Sequence, residues 1–164
     1  MHLFSQEEYG IRCLVQLSRH LGRGPLPIHQ IAEAEGISPE YAAKLMRALR
    51  QGGLVTATRG AGGGYRLVRE AEEISVWEVI KVLGGGPLFS ADFCDSHPGQ
   101  MRDCVHTSDC SIRSLWHSIS DLLGSALEGI TLADLAGAER SPVEWLMRMR
   151  TSAARTPAAA GEGD

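Results

Sequence analysis

Apolar residues recur at three- and four-residue intervals through most of the first 135 positions, and the breaks between runs fall on glycine and proline. The first run predicts a helix from Ser5 to His20, with Ile11, Leu14 and Val15 as its stripe and Leu17 widening it on one side. Ser5 followed by Glu8 has the form of a capping box, and Gly22-Arg23-Gly24-Pro25 stops the helix. A second, short helix is predicted from about Ile28 to Ala34, ending at Gly36. Ser38-Pro39 then supplies a cap and a first-turn proline for a third helix reaching about Gln51, which Gly52-Gly53 ends.

The period then changes. Leu54–Thr58 and Tyr65–Val68 are β-prone, and the glycine-rich run from Arg59 to Gly64 joins them as a hairpin. Ser75-Val76-Trp77-Glu78 is another capping box, opening a helix with Val76, Val79, Ile80 and Leu83 in phase. Residues 88–110 show little periodicity. From Ser111 to about Ile130 runs a long amphipathic helix carrying Ile112, Leu115, Trp116, Ile119, Leu122, Leu123 and Leu127. Its apolar face is large for so short a chain, which points to a partner subunit. Ser141-Pro142-Val143-Glu144 opens a minor helix, and an alanine-rich tail expected to be disordered starts at about Thr151. The expected fold is mainly α: a winged helix-turn-helix with a small β-hairpin wing and a long C-terminal dimerisation helix. The expected divisions are a DNA-binding domain at 1–87, a cysteine-bearing loop at 88–110, the dimerisation helix and its end at 111–135, and a C-terminal extension at 136–164.

Composition changes this picture little. The chain has 164 residues, 43% of them hydrophobic, with 19 glycines and 5% aromatics, which suits one lean core with appendages. No stretch approaches the roughly 18 consecutive apolar residues of a membrane span, and Glu7 and Glu8 interrupt any signal-peptide run, so a cytoplasmic protein without a membrane role is expected. Charge changes more. The net charge is −4, yet between Ile37 and Arg69 six basic residues (Lys44, Arg47, Arg50, Arg59, Arg66, Arg69) face Glu40 alone. Such a segment is either a solvated face or a local footprint for phosphates.

The second and third helices favour the footprint. Gly36 permits the sharp turn between them, and Ile31, Ala32, Ile37, Ala42 and Leu45 supply the core that sets their crossing angle. The third helix then presents Glu40, Tyr41, Lys44 and Arg47 near its N-terminal half, the part that enters a major groove. Lys44 suits base acceptors or phosphate, whereas Ser38 and Tyr41 suit phosphate. The glycine-rich hairpin lacks the spacing of a nucleotide-phosphate loop. Led by Arg59 and slim through Gly62, it fits a wing reaching into a narrow minor groove, with a plain flexible hairpin as the other reading.

Cys94-x9-Cys104-x5-Cys110 occupies the aperiodic loop, while Cys13 lies in the first helical pattern as a core residue. Three clustered thiols in such a loop have several uses. They can hold an iron–sulfur cluster with one other ligand, hold zinc with His97 or His106, act as a thiol redox sensor, or do nothing special. No nucleophile with a base and an orienting group is discernible, so no catalytic residue is expected and the chain is not an enzyme.

These residues resemble the Rrf2 family of bacterial transcription regulators over about residues 1–135. The matching pieces are Tyr9, Ile31-Ala32-x4-Ile37-Ser38-x2-Tyr41, Leu49-Arg50-x2-Gly53-Leu54-Val55 and Arg59-Gly60-x-Gly62-Gly63-Gly64-Tyr65. The cysteine triplet followed by Leu115-Trp116, and the closing Ile130-Thr131-Leu132-x-Asp134-Leu135, add to them. The resemblance implies a homodimer on a double-stranded DNA operator, with the long helix crossing between subunits. It also implies Arg59 in the minor groove, the third helix in the major groove and an iron–sulfur cluster beside the long helix.

Two departures bear on the ligands. The nine-residue gap between the first two cysteines exceeds the usual five of IscR-like members, and Arg113 stands where those members place a histidine ligand. Arginine cannot ligate iron because its guanidinium stays protonated. NsrR-like members use a carboxylate at the equivalent of Glu8, donated by the other subunit. The expected ligands are therefore Cys94, Cys104, Cys110 and Glu8, with Glu8 as a mere capping residue, or His97, His106, His117 or an exogenous ligand, as alternatives. Three thiolates and a carboxylate favour [4Fe–4S] over [2Fe–2S] on the same resemblance. The function expected is a repressor of iron–sulfur biogenesis or redox and nitrosative-stress genes under cluster control. The alternatives are a zinc or thiol-switch regulator on the same fold, and a protein-binding winged-helix module.

Overall fold

The computed structural model describes residues 5–60, 62–84, 100, 104–106 and 110–154, among which lie seven α-helices and one two-stranded antiparallel sheet. Cys94 and His97 fall outside the described residues. Helix α1 (Ser5–Arg19) buries Gly10, Cys13, Leu14 and Leu17 along one side. Ser5 is its first residue, and the Glu8 carboxylate turns to Arg12 one helical turn on. Gly10 is needed because the Leu83 side chain lies where a Cβ would sit.

Helices α2 (Ile28–Glu35) and α3 (Pro39–Gln51) are joined through Gly36, whose φ of 63° is the left-handed conformation open to glycine at no steric cost. The Ser38 hydroxyl accepts the Tyr41 N–H at 3.1 Å and caps α3, as its position ahead of Pro39 predicts. Ala42, Leu45, Met46 and Leu49 are buried against α1 and the rest of the core. Strands β1 (Val55–Thr58) and β2 (Gly64–Leu67) pair from Val55 opposite Leu67 to Thr58 opposite Gly64. Leu26 and Tyr65 exchange two backbone hydrogen bonds of 2.9 Å, tying β2 to the segment ahead of α2. Gly64 allows that approach, since a Cβ there would strike the Leu26 carbonyl. Only Val55 of β1 is buried, so the tip-ward part of the hairpin projects from the core while Tyr65 and Leu67 of β2 still pack on it.

A single 3-10 turn (Ala71–Glu73) leads to α4 (Val76–Val82). Ser75 caps α4 by accepting the Glu78 N–H at 3.1 Å, but the Glu78 carboxylate pairs with Arg69 instead of closing the box. Helix α5 (Ser111–Glu128) is the longest, and of its eighteen residues only Gly124 and Ala126 are buried. Gly124 lies under the Trp77 indole, 3.0 Å from where a Cβ would be. After α5 the chain returns to the first core. Val76 donates to the Ile130 carbonyl at 2.8 Å and Leu132 to that of Ile74 at 3.0 Å, so the starts of α4 and α6 (Leu132–Ala136) form a short bridge with Leu132 fully buried.

Helix α7 (Pro142–Ala153) continues past Thr151, where the tail was expected to begin. It has a complete Ser141–Glu144 capping box and lays Trp145 and Met149 on Val76, Ile80 and Ile130. Ser152 is buried over Gly129 and donates to the Ser125 carbonyl at 2.9 Å. Asp134 binds these parts together. It accepts the Thr131 N–H and hydroxyl at 3.0 Å each, Arg148 at 2.5 Å and Arg140 at 3.4 Å, while Arg140 lies 5.0 Å from the Trp145 ring centre.

Burial works to raise the Asp134 carboxyl, but the Thr131 donors and the Arg148 guanidinium outweigh it and hold it below the ordinary 3.8. A depressed folded-state value contributes stability above the unfolded-state value and loses it as pH falls through the folded one. Asp134→Asn is therefore expected to lower stability at pH 7 by about 1–3 kcal/mol, the scale of hydrogen bonds to a charged group. The gap to the parent should narrow progressively below pH 3.8. Denaturant titrations of both proteins at pH 7 and at acid pH check this.

Candidate nucleic-acid interface and cysteine site

The outer face of α3 is the inverse of its buried one. With Ala42, Leu45, Met46 and Leu49 turned inward, Glu40, Ala43, Lys44 and Arg47 are exposed one turn apart on the other side. The Glu40 carboxyl is held below the usual carboxylate range by its own backbone N–H and then the Ser38 hydroxyl, a position that also suits an anion at a helix start. Tyr41 sits apart from this group. It is half-buried, its ring meets Tyr9 edge-on at 6.0 Å and 78°, and burial pushes its phenol up. Its main work is to hold α3 against α1.

Lys44, Arg47, Arg50, Arg59 and Arg66 are all exposed, and none has an acidic partner among the described residues. Arg69, the sixth basic residue of the segment, is committed to Glu78 and to the Glu73 carbonyl. The cationic surface is thus carried by α3 and the hairpin that follows it. Arg59 precedes the hairpin tip, where Gly60 has a φ of 109° and Gly62 is exposed with nothing beside it.

The cysteines differ sharply. Cys13 is fully buried, and desolvation pushes its thiol up to about 12, leaving it a core residue. Cys104 and Cys110 are free and half-buried. Cys110 is the N-cap of α5, its Sγ accepting the Arg113 N–H at 3.4 Å. The Arg113 side chain reaches back to the His106 carbonyl at 2.5 Å, so the residue standing in the expected histidine position straps the loop between the two cysteines. His106 and His117 are exposed. Glu8 lies on α1, half-exposed and 3.2 Å from Arg12 Nη1. Among the described residues no three histidine, cysteine or acidic side chains converge within one chain.

A helix-turn-helix with a wing, an unpaired cationic surface on both and a second lobe built on a long helix define a DNA-binding transcription regulator. The chain belongs to the Rrf2 family: the family described as "Iron-dependent Transcriptional regulator" matches residues 3–138. It is 36% identical over 135 residues to the HTH-type transcriptional regulator IscR of Photobacterium profundum, covering 82% of this chain and 75% of that protein. The IscR of Serratia proteamaculans is 35% identical over the same length, with 82% and 79% covered. Among solved structures, the global cysteine regulator CymR of B. subtilis superposes with a TM-score of 0.66 at 30% identity, covering 83% of this chain and 96% of that one. The IscR of T. potens gives 0.65 at 30% identity, with 88% and 96% covered. These relatives are transcription regulators and not enzymes. No helix among the described residues is long and apolar enough to cross a membrane.

The contrast between the thiols yields a direct expectation. In single-cysteine variants, Cys104 and Cys110 should react with a maleimide in the native protein, and Cys13 only after denaturation. Mass spectrometry of labelled protein checks it, and native labelling of Cys13 would contradict its full burial.

Proposed function

We propose that this chain is a homodimeric repressor whose affinity for its operator is controlled by an iron–sulfur cluster held by Cys94, Cys104, Cys110 and Glu8 of the other subunit. The observation that carries the reading is the pair of free, half-buried thiols at the head of α5, on a chain whose recognition helix and wing hold unpaired cations. Thiolates are soft donors suited to iron–sulfur clusters, so the donor set fits such a group. The match to a family described as iron-dependent and the names of the IscR relatives support the same reading.

The second subunit is supported by α5. Ile112, Leu115 and Leu122 are exposed on it, and with the half-buried Ile119 they repeat at intervals of three, four and three, the seam of a helix pair. The resemblance to NsrR-like members supports Glu8 as a ligand donated across that seam. Bound there, the cluster would supply the redox- and gas-sensitive element. The carboxylate is its hard, weakly held ligand, and nuclearity [4Fe–4S] is favoured over [2Fe–2S] by resemblance to the family.

On DNA, Lys44, Arg47 and Glu40 form the major-groove element and Ser38 meets phosphate, while Tyr41 holds α3 against α1. Arg59 and Gly62 form the minor-groove wing. Two half-sites have fixed spacing on B-DNA, so any change in how α5 pairs changes the fit of both recognition helices. The genes are those of iron–sulfur biogenesis or of redox and nitrosative stress.

Protein purified without oxygen should be brown and contain iron and sulfide. Cys104→Ala should remove the colour, whereas Glu8→Ala should leave an altered or labile cluster. Colourless protein holding zinc would instead establish a zinc regulator on the same fold. Binding to a promoter fragment should weaken steeply with salt. Arg59→Ala should weaken it by at least about fivefold, within the roughly 1–3 kcal/mol scale of a good groove contact. Absence of saturable DNA binding in metal-free and metal-loaded protein alike would make the winged domain a protein-binding module.

A further inference from the structure

Helix α7 begins beyond residue 138, the last that the family description matches, yet it is tied to three other helices. Its Trp145 and Met149 pack on the cluster of Val76 and Ile80 from α4 and Ile130 from just past α5. Arg148 reaches the Asp134 carboxylate of α6 at 2.5 Å. At the far end Ser152 is buried, and its hydroxyl donates to the Ser125 carbonyl of α5 at 2.9 Å. The Ser152 side chain also fills the space beside Gly129, where any Cβ would overlap it.

We infer that α7 is a brace that fixes the angle between α5 and the DNA-binding lobe, with Trp145 and Ser152 as its positioning residues. Its effect on operator binding rests on the proposed homodimer; the brace itself does not. Helix α4 belongs to the DNA-binding lobe, since Val79 and the following Leu83 lie in the first core, while Val76 and Ile80 lie under Trp145. Helices α4 and α5 cross where Gly124 lies under the Trp77 indole. Two helices that meet at a crossing can swing about it. By holding α4 at Val76 and Ile80 and α5 at Ser125 and Gly129, α7 closes a triangle, and close-packed side chains allow no partial slide within it. In a dimer paired through α5, that angle sets the separation of the two α3 helices, and half-sites on B-DNA have a fixed spacing.

The test uses full-length, metal-free protein, where no cluster takes part. Gly129 has a φ of −82° and a ψ of 0°, which alanine adopts, so Gly129→Ala acts through the overlap with Ser152 and drives α7 off α5. Amide exchange should accelerate at Val76 and Leu132, whose N–H groups close the bridge between α4 and α6, while Leu45 and Leu49 of α3 keep parent rates. The DNA probes are a duplex selected from a random pool by the parent protein and the same duplex cut to one half-site. At fixed salt, Gly129→Ala should bind the whole site at least about fivefold more weakly, the lower end of measured coupling between sites, and the half-site as the parent does. Adding Ser152→Gly makes room for the new Cβ and should recover part of the loss. Trp145→Ala loosens the hold on α4 without a wedge, so it serves if Gly129→Ala fails to fold, and the same pattern is expected of it.

Parent-like exchange at Val76 and Leu132, or parent-like affinity for the whole site, would overturn the brace. An equal loss on the half-site would overturn it as well, since α7 would then support the fold of the DNA-binding lobe and not its placement. A parent protein that gains nothing from the second half-site would overturn the homodimer reading and with it the effect on the operator, leaving amide exchange to decide the brace alone.

Discussion

The packing of one side of α3 against α1 is the constraint from which the rest follows. Leu45, Met46 and Leu49 have no solvent exposure, and neither do Cys13, Leu14 and Ile31 in the same core. Close-packed interiors resist rotation of a helix about its axis, because every side chain would leave its place. Once that inner face is set, 3.6-residue geometry alone puts Glu40, Lys44 and Arg47 outward. The outward, partly cationic surface of α3 is thus a by-product of core packing, and the Tyr9–Tyr41 contact and the Arg12–Glu35 ion pair reinforce it at the start of the helix.

The second lobe obeys a different logic. Helix α5 is clamped in its last third, where Gly124 meets Trp77 and Ser125 meets Ser152 of α7. None of the residues in its first two-thirds is fully buried. The clamp reaches the DNA-binding lobe through the bridge between Ser75 and Thr131, with Leu132 driven into the first core and Asp134 holding α6 and α7 together. Held in its last third, α5 carries Ile112, Leu115 and Leu122 exposed along the rest of its length.

Environment separates residues of one type. Four cysteines look alike on paper, yet Cys13 is a core side chain whereas Cys110 caps a helix with its sulfur turned to a backbone N–H. Arg113 shows the same effect: its guanidinium cannot ligate a metal, and it instead fastens the His106 carbonyl. Burial and neighbours, more than identity, set what each group can do.

Much of this was legible in the residues alone. Apolar spacing, the Gly36 turn, the Ser38-Pro39 cap and the glycine-rich hairpin determined three helices and a wing in order, since these are local preferences acting within a few residues. The fate of Cys13 was legible for the same reason. Tertiary structure decided what depends on distant partners. Glu78 was drawn from its own cap to Arg69, Glu8 from the Ser5 cap to Arg12, and Tyr41 from the outer face of α3 to Tyr9. Helix α6, too short to announce itself by periodicity, forms because the Thr131–Asp134 capping box and the bridge to Ile74 hold it. Charged side chains are long and choose among partners that only folding brings near. The pattern of apolar residues therefore determined the scaffold, and three-dimensional proximity determined which polar groups it joins.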